Sequence, residues 1–335
     1  MRSIQYLRGL AALGVLAYHA AERAGVGFGV GAAGVDVFFV ISGFIMWIVT
    51  CHSSPSPSRF LLRRAERVVP LYWGLTVAVA AVAVFVPAAF PAIRPDSDRL
   101  FMSLFFIPHW DTNGFIAPLI IPGWTLNYEM FFYALFAIGL MFRTQARPWF
   151  VSVALISLVA ARPLGDTANP LWATYTNPLL LEFGAGVWLG KLWSEKRLPN
   201  STVACGMIVA AFAGFIAVSF ADVTLPPLHA PMPLQVLWWG VPAFLLVAGA
   251  VSLERFGPVP NLRLMHGLGN ASYSIYLIHG LAIAGSFRAL KMVGLDQPWI
   301  ALPVSIAAGV AAGFVLYWLV EKPITRFLKA KTFRT

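Results

Sequence analysis

Two histidines and three acidic residues stand out inside long apolar stretches of this sequence. Ionisable groups are costly at membrane depth, so they usually face the interior of a helix bundle and mark a functional site. Histidine readily exchanges a proton near neutral pH, which makes His19 a candidate general base. Asp36 or Glu129 could orient it, because a carboxylate can fix the tautomer of an imidazole. The other two residues of the set are Glu182 and His279.

Each of these residues also has a purely structural interpretation. A buried histidine such as His279 can bond to a neighbouring helix, as can the hydroxyl groups that precede it, Tyr273 among them. Those same groups could instead line a polar cavity that binds substrate. Asp36 and Glu129 lie near predicted helix starts, where the helix dipole favours a carboxylate. Trp124 lies where a tryptophan commonly anchors a chain at the membrane interface.

A cluster of arginines, Arg63, Arg64 and Arg67, precedes the third apolar stretch. Residues three or four apart share one face of a helix. A guanidinium group can bind a phosphate through two parallel hydrogen bonds, so this cluster is a candidate phosphate clamp, which Arg8 could join. The alternative is that these arginines contact lipid headgroups and orient the chain in the membrane.

The distance between Arg8 and His19 limits the kind of donor that could use both. Eleven residues separate them along the chain, which is about 16 Å on a helix. A donor with phosphates at the arginines and its reactive group at His19 must therefore be long and thin. Acyl-coenzyme A (acyl-CoA) has this shape, with a charged nucleotide at one end and a thioester at the other. A lipid-linked phosphate donor fits the same length.

The elements that must hold these residues are membrane helices. Of the 335 residues, 59% are hydrophobic and 11% are charged, whereas soluble domains have about 45–50% apolar and 25% charged residues. A membrane crossing needs about 20 mainly apolar residues. The sequence contains ten such stretches, at 4–23, 31–50, 68–88, 123–142, 149–163, 174–193, 202–220, 234–252, 268–288 and 298–320. We therefore predict an all-α, polytopic bundle of about ten transmembrane helices, forming a single domain over residues 1–335.

The lysines and arginines are distributed unevenly between the two ends of these stretches. Of the 24, six lie on the side opposite the termini, namely Arg23, Arg94, Arg99, Arg162, Arg288 and Lys291. The other 18 lie on the side of the termini, so the positive-inside rule predicts that both termini are cytoplasmic. The net charge of +10 is thus attributed to orientation in a bilayer, not to nucleic acid. The first stretch is expected to be a retained helix, not a signal peptide, and no metal site is predicted.

Six motifs in this sequence together resemble the membrane-bound acyltransferase 3 family, and its exopolysaccharide acetyltransferase type most of all. The motifs are RGLAALGVLAYH (8–19), GVDVFFVISGFI (34–45), RRAERVVPLYW (63–73), WTLNYEMFFY (124–133), SYSIYLIH (272–279) and VEKP (320–323). Each is weak alone, but six in this order along ten apolar stretches are specific. The resemblance covers essentially the whole chain.

The resemblance implies that an acyl group, usually acetyl, moves from cytoplasmic acetyl-CoA to a carbohydrate on the outer side of a bacterial inner membrane. The positions that match the family's motifs are Arg8 and His19 (Arg-x10-His), Arg64 and Arg67 (Arg-x-x-Arg), Trp124 and Glu129 (the Trp/Glu motif) and His279 (the late histidine). In this interpretation His19, Glu129 and Asp36 are catalytic. Arg8, Arg63, Arg64 and Arg67 would bind the donor, and Trp124, His279 and Tyr273 the acceptor.

The predicted function is therefore that of a multi-pass membrane O-acyltransferase. The alternative is a transporter or flippase for a glycan or lipid, which also needs a polar path through the membrane. A third interpretation is a scaffold within a polysaccharide synthesis complex. Exopolysaccharide, O-antigen, a lipid-linked sugar and a peptidoglycan sugar are all compatible acceptors. Acetyl and longer or charged acyl groups are both compatible, as are direct transfer and an acyl-histidine intermediate.

Overall fold

The computed structural model describes residues 1–53, 55–86, 96–220 and 236–332. Helix accounts for 79% of the described residues and no strand occurs among them, which confirms the all-α class. Three sequence predictions lie wholly or partly outside these residues, namely those for 68–88, 234–252 and Arg94.

Thirteen α-helices follow one another along the described part of the chain. They are α1 (Arg2–Arg23), α2 (Gly34–Ile48), α3 (Pro57–Phe85), α4 (Ser97–Leu104), α5 (Trp124–Gly139), α6 (Arg147–Ala161), α7 (Pro170–Tyr175), α8 (Leu180–Ser194), α9 (Ser201–Phe220), α10 (Val241–Phe256), α11 (Arg263–Met292), α12 (Pro298–Leu316) and α13 (Lys322–Thr332). A 3₁₀ turn over Gly29–Ala33 leads into α2, and a π-helical turn over Val236–Gly240 leads into α10.

Within the described ranges, six helical segments are long and apolar enough to cross a membrane. They are Gly29–Ile48, Pro57–Phe85, Arg147–Leu164, Ser201–Ser219, Val236–Phe256 and Pro298–Leu328. Each of the ten predicted stretches overlaps one of the α-helices, but this criterion does not confirm ten crossings. The helices that carry His19 and His279, α1 and α11, are not among the six, because their sequences include polar residues as well as apolar ones.

The described chain divides into two compact units. The first unit comprises Met1–Cys51, Glu182–Leu225 and Leu234–Leu319, and it contains α1, α2 and α8–α12. Two clusters of buried aliphatic and aromatic side chains form its core, and α1 contributes to both of them. Burying apolar area in this way contributes roughly 25 cal/mol per Å² in water, although between membrane helices close packing replaces that driving force.

The first and eleventh helices approach each other through two glycines. A Cβ atom on Gly269 would lie 2.1 Å from the backbone oxygen of Gln5, and one on Gly9 would lie 2.9 Å from the Cβ of Leu268. Small residues allow such close contact between membrane helices. His19 lies ten residues after Gly9, and His279 lies ten residues after Gly269. Because these two histidines are also in contact, α1 and α11 run in the same direction.

The second and eighth helices are also parallel and closely packed. At their close approach, a Cβ on Gly43 would lie 2.0 Å from the backbone oxygen of Phe183, and one on Gly186 would lie 2.1 Å from that of Val40. The two helices run in the same direction, because the Phe39 ring lies 4.5 Å from that of Phe183 near both starts, whereas Nε1 of Trp47 donates to the Ser194 hydroxyl at 2.9 Å near both ends. By contrast, α11 and α12 are antiparallel, since the hydroxyl of Ser286 is 2.8 Å from that of Ser305 near the end of one helix and the start of the other.

The described part of the second unit lies within His52–Leu181 and Val320–Thr332. Helix α3 begins after Ser56, whose hydroxyl accepts a hydrogen bond from the backbone N–H of Arg59, an ordinary N-terminal cap. Helices α3 and α5 are antiparallel, because the Phe60 ring lies 5.5 Å from that of Phe136 whereas Tyr72 packs on Gly123 at the opposite end of α5.

Candidate active site

In the first unit, the two predicted histidines stack on each other. The ring centroids of His19 and His279 are 5.1 Å apart and their planes are inclined by 23°. His279 is only 2% exposed, whereas 29% of the His19 side chain is exposed. His19 is therefore the member of the pair that a substrate can reach, and His279 forms the wall behind it.

The hydrogen bonds of the two histidines determine which ring nitrogen is free. Nδ1 of His279 lies 2.5 Å from the backbone oxygen of Tyr276, which can only accept, so Nδ1 carries the hydrogen. Nδ1 of His19 lies 3.2 Å from Oε2 of Glu22 and is likewise the donor. In a neutral ring this leaves Nε2 of His19 as an acceptor, which is the tautomer that a general base requires.

Glu22 was not among the predicted site residues, although it lies three residues after His19. Side chains three or four apart on a helix are neighbours, so this spacing could have indicated the contact. Glu22 is exposed, and an exposed ion pair contributes little to stability, about 0–1 kcal/mol. Its contact with Nδ1 nevertheless places a carboxylate in the position that orients a catalytic imidazole.

Asp36 lies in the same unit, beside a second acid. Its side chain is completely buried, that of Glu182 is 2% exposed, and the two carboxyl groups interact. The space for Glu182 depends on Gly240 in the π-helical turn, where a Cβ would lie 2.5 Å from Oε1 of Glu182.

The second unit contains the arginine cluster, and Arg64 is its half-buried member. The guanidinium carbon of Arg64 lies 5.8 Å from the centre of the Phe60 ring, within the range of a cation–π contact. The Nε atom of Arg64 is buried and has no hydrogen-bond partner among the described residues. Arg63 and Arg67, on the same helix, are exposed.

Glu129 lies beside this cluster in the second unit. Its Oε1 atom accepts a hydrogen bond from the Tyr133 hydroxyl one turn later on α5, and both side chains interact electrostatically with Arg64. Tyr133 is 3% exposed and was not predicted as a site residue. Tyr133 lies four residues after Glu129 on the same helix, so this spacing could have indicated the contact, as for Glu22.

The remaining predicted residues are placed as follows. Arg8 lies on α1 in the first unit, with Nη1 3.5 Å from Oε1 of Gln5. Tyr273 is half-buried on α11, two turns before His279. Trp124 opens α5 and is 6% exposed, and its ring meets that of Tyr128 edge-on at 5.7 Å.

Comparison with known proteins identifies relatives along most of the chain. A family profile described as an acyltransferase domain, the acyltransferase 3 type, matches residues 1–318. The chain is 38% identical to the exopolysaccharide production protein ExoZ of Rhizobium meliloti strain 1021, over 94% of this chain and 96% of that protein.

Two further relatives are more distant. The chain is 27% identical to the acyltransferase MdmB of Streptomyces mycarofaciens, over 97% of this chain and 92% of that protein. It is 25% identical to the peptidoglycan O-acetyltransferase OatA of Listeria monocytogenes strain EGD-e, over 97% of this chain and 56% of that protein. No solved structure matches the chain.

Proposed function

Because the chain belongs to the acyltransferase 3 family and is therefore an acyltransferase, we propose that it transfers an acetyl group from acetyl-CoA to a hydroxyl of a carbohydrate. In this proposal His19 is the general base. The observation that supports it most directly is the hydrogen bond from His19 Nδ1 to Glu22, which leaves Nε2 of a partly exposed ring free to accept a proton.

The proposed reaction needs one proton acceptor and one polarised acyl group. Nε2 of His19 takes the proton of the acceptor hydroxyl while that oxygen attacks the carbonyl carbon of the thioester. The tetrahedral intermediate then expels the coenzyme A thiolate, which recovers the proton from the imidazolium. Glu22 stabilises the positive charge that His19 carries between these steps. General base catalysis of this kind contributes about 10²–10⁴-fold.

The arginine cluster is the proposed binding site for the phosphates of the donor, as the sequence predicted for Arg63, Arg64 and Arg67, with Arg8. The buried Nε of Arg64 supports this proposal, because an N–H group left without an acceptor is costly inside a protein and is satisfied when an anion binds. In this scheme Glu129 and Tyr133 hold Arg64 in place, so Glu129 acts through Arg64.

We further propose that the chain crosses a bacterial inner membrane about ten times with both termini in the cytoplasm. The six apolar helical segments support a multi-pass arrangement. Helix directions also support it: the proposed crossings one and nine (α1, α11) are parallel, as are two and six (α2, α8). Crossings nine and ten (α11, α12) are antiparallel, and alternating crossings require this pattern.

A carbohydrate acceptor is supported by the names of the relatives, one of which concerns exopolysaccharide production and another peptidoglycan O-acetylation. Trp124 in the second unit and Tyr273 in the first are each proposed as acceptor-binding residues. His279, predicted with them, is buried behind His19 and would act on the acceptor only through that ring. A polysaccharide synthesis system would supply such an acceptor. A transporter or flippase remains the contrasting function, because it would move a glycan or lipid without consuming acetyl-CoA.

The deciding experiment follows the release of free coenzyme A thiol and the transfer of label from radioactive acetyl-CoA by the purified full chain in detergent. His19→Ala should lower the rate by about 10²–10⁴-fold, while His52→Ala, which changes an exposed loop histidine, should leave it unchanged. Turnover by His19→Ala within threefold of the unmodified protein would reject the assignment of the base. No thiol release by any form would favour the transporter.

A further inference from the structure

A small pocket in the second unit has an uncharged, largely polar lining. It is lined by Ile116, Trp124, Asn127, Tyr128, Ala173, Thr174 and Asn177. Its empty space, including the open mouth, is about 270 Å³, and its innermost part has room for about one water-sized group. The pocket therefore accepts a single small polar group that projects from something larger outside it.

Asn127 supplies the least satisfied polar atom of this pocket. The side chain is 2% exposed, and its Oδ1 atom is buried with no hydrogen-bond partner among the residues that the structure describes. A buried polar atom left in this state costs about 1–3 kcal/mol. A hydroxyl group can both donate and accept, so it satisfies either end of an amide.

The other polar groups are fixed around this position. The backbone N–H of Leu179 donates to Oδ1 of Asn177, which holds that amide in place at 3.0 Å. Thr174 and Asn177 also lie within hydrogen-bonding reach of the Tyr128 hydroxyl. The lining is thus preorganised, which lowers the entropic cost of binding a ligand.

The charge of the lining restricts the class of ligand. Arg162 is the nearby cation, but its Nη1 atom donates to the backbone oxygen of Ala173 at 2.9 Å and lies 3.4 Å from the Thr176 hydroxyl. None of the lining residues carries a charge. Arg162 acts electrostatically on Tyr128, but it is not part of the lining. A carboxylate or phosphate in the pocket would therefore lose its hydration without a charged hydrogen-bond partner, so neutral groups are preferred.

We propose that this pocket binds one hydroxyl group of a neutral sugar, with the Asn127 side chain as its principal hydrogen-bond partner. That the sugar is the acyl acceptor rests on the proposed function; that the pocket binds an uncharged hydroxyl does not. The pocket would then select neutral sugars over uronic acids and phosphorylated sugars, a specificity that the arginine cluster and the histidine pair do not supply.

The test uses the purified full chain in detergent, with methyl β-glucopyranoside as the neutral probe and methyl β-glucuronide as its charged counterpart. Binding is measured by calorimetry, and transfer is measured with radioactive acetyl-CoA. The neutral glycoside should bind at least about tenfold more tightly than the glucuronide. This comparison needs no variant, so it holds even if a substitution in the pocket prevents folding. Equal binding of the two probes, or no binding of either, would overturn the proposal.

Two variants test the contacts themselves. Asn127→Leu and Thr174→Val should each raise the KM for the glycoside more than the KM for acetyl-CoA, by about tenfold for Asn127. Asn113→Leu, on an exposed loop of the same unit, is the matched control and should change neither value. Size-exclusion elution and thermal unfolding verify that each variant is folded.

The outcomes separate this proposal from the proposed function. If both folded pocket variants bind the glycoside as the unmodified protein does, the pocket holds only a structural water and the inference is wrong. If glycoside binding depends on Asn127 but no acetyl transfer occurs, the pocket is supported and the proposed function fails. If acetyl transfer depends on His19 but the KM for the glycoside does not change in Asn127→Leu, the proposed function is supported and the pocket proposal fails.

Discussion

The histidine pair of the first unit and the arginine cluster of the second are built in opposite ways. At His19, the acidic partner comes from the same helix and leaves the reactive nitrogen free. At Arg64, the acid comes from another helix, is itself held by Tyr133, and faces a permanent charge. The first arrangement is suited to moving a proton and the second to holding an anion. Substitutions in the first region should therefore lower kcat, and those in the second should raise the KM for acetyl-CoA.

The largest effect is expected at His19 and should appear in kcat. Replacing His19 with Gln keeps a polar side chain of similar length but removes the base, so kcat should fall about 10²–10⁴-fold. The KM for acetyl-CoA should change less than threefold, because the residue does not bind the donor phosphates. Steady-state kinetics with varied acetyl-CoA measures both values. If the KM for acetyl-CoA rose while kcat stayed the same, His19 would behave as a donor-binding residue, and the two regions would not differ in role.

Arg64 should give the opposite pattern. Arg64→Ala removes a charge-assisted contact worth about 1.5–3 kcal/mol, so the KM for acetyl-CoA should rise roughly 10–100-fold with a smaller change in kcat. Arg64→Lys should recover part of the loss, since lysine keeps the charge but not the two-pronged geometry. Arg59→Ala, an exposed arginine on the same helix, is the control. An unchanged KM would show that Arg64 does not bind the donor, and would favour the alternative that the arginines orient the chain in the membrane.

Glu22 tests whether the short-range contact in the first unit matters for catalysis. Glu22→Gln retains an acceptor for His19 Nδ1 but removes the charge that stabilises an imidazolium, so kcat should fall about tenfold without a change in the KM for acetyl-CoA. The matched control is Glu195→Gln, at an exposed acid in the same unit. Equal activity of Glu22→Gln and the unmodified protein would show that His19 needs no carboxylate.

The smallest effect is expected at Tyr133. Tyr133→Phe removes the hydroxyl that fixes Glu129, which loosens the partner of Arg64 without removing any charge. The KM for acetyl-CoA should rise about two- to fivefold, since one neutral-to-charged hydrogen bond is lost. Tyr175→Phe serves as the control in the same unit. A fall in kcat alone would instead place Tyr133 with the proton-transfer residues.

Sequence patterns predicted His19, Arg64 and Glu129 one by one, but not their partners Glu22 and Tyr133. His19 and His279 were both predicted as site residues, yet their stacking depends on two helices that are some 250 residues apart in the chain. Glu129 was predicted to orient His19, and the structure shows it with Arg64 and Tyr133. Pairing between distant helices depends on packing, which composition and spacing do not encode.

The membrane helices also differ in how readily the sequence reveals them. Stretches that become lipid-facing, such as Ser201–Ser219 with 11% of its residues buried, are uniformly apolar and easy to detect. The helices that carry His19 and His279 are more polar, because they pack inside the first unit and line the site. Their apolar content is therefore a poor guide to whether they cross the membrane.

The glycine contact between α1 and α11 has a consequence for how this site can evolve. Gly9 and Gly269 set the register of two parallel helices, and each histidine lies ten residues farther along. One added residue between Gly9 and His19 would rotate that side chain by about 100° and move it 1.5 Å. The two ten-residue intervals should therefore keep equal length in homologous sequences, and an insertion in one should survive only when the other acquires the same insertion.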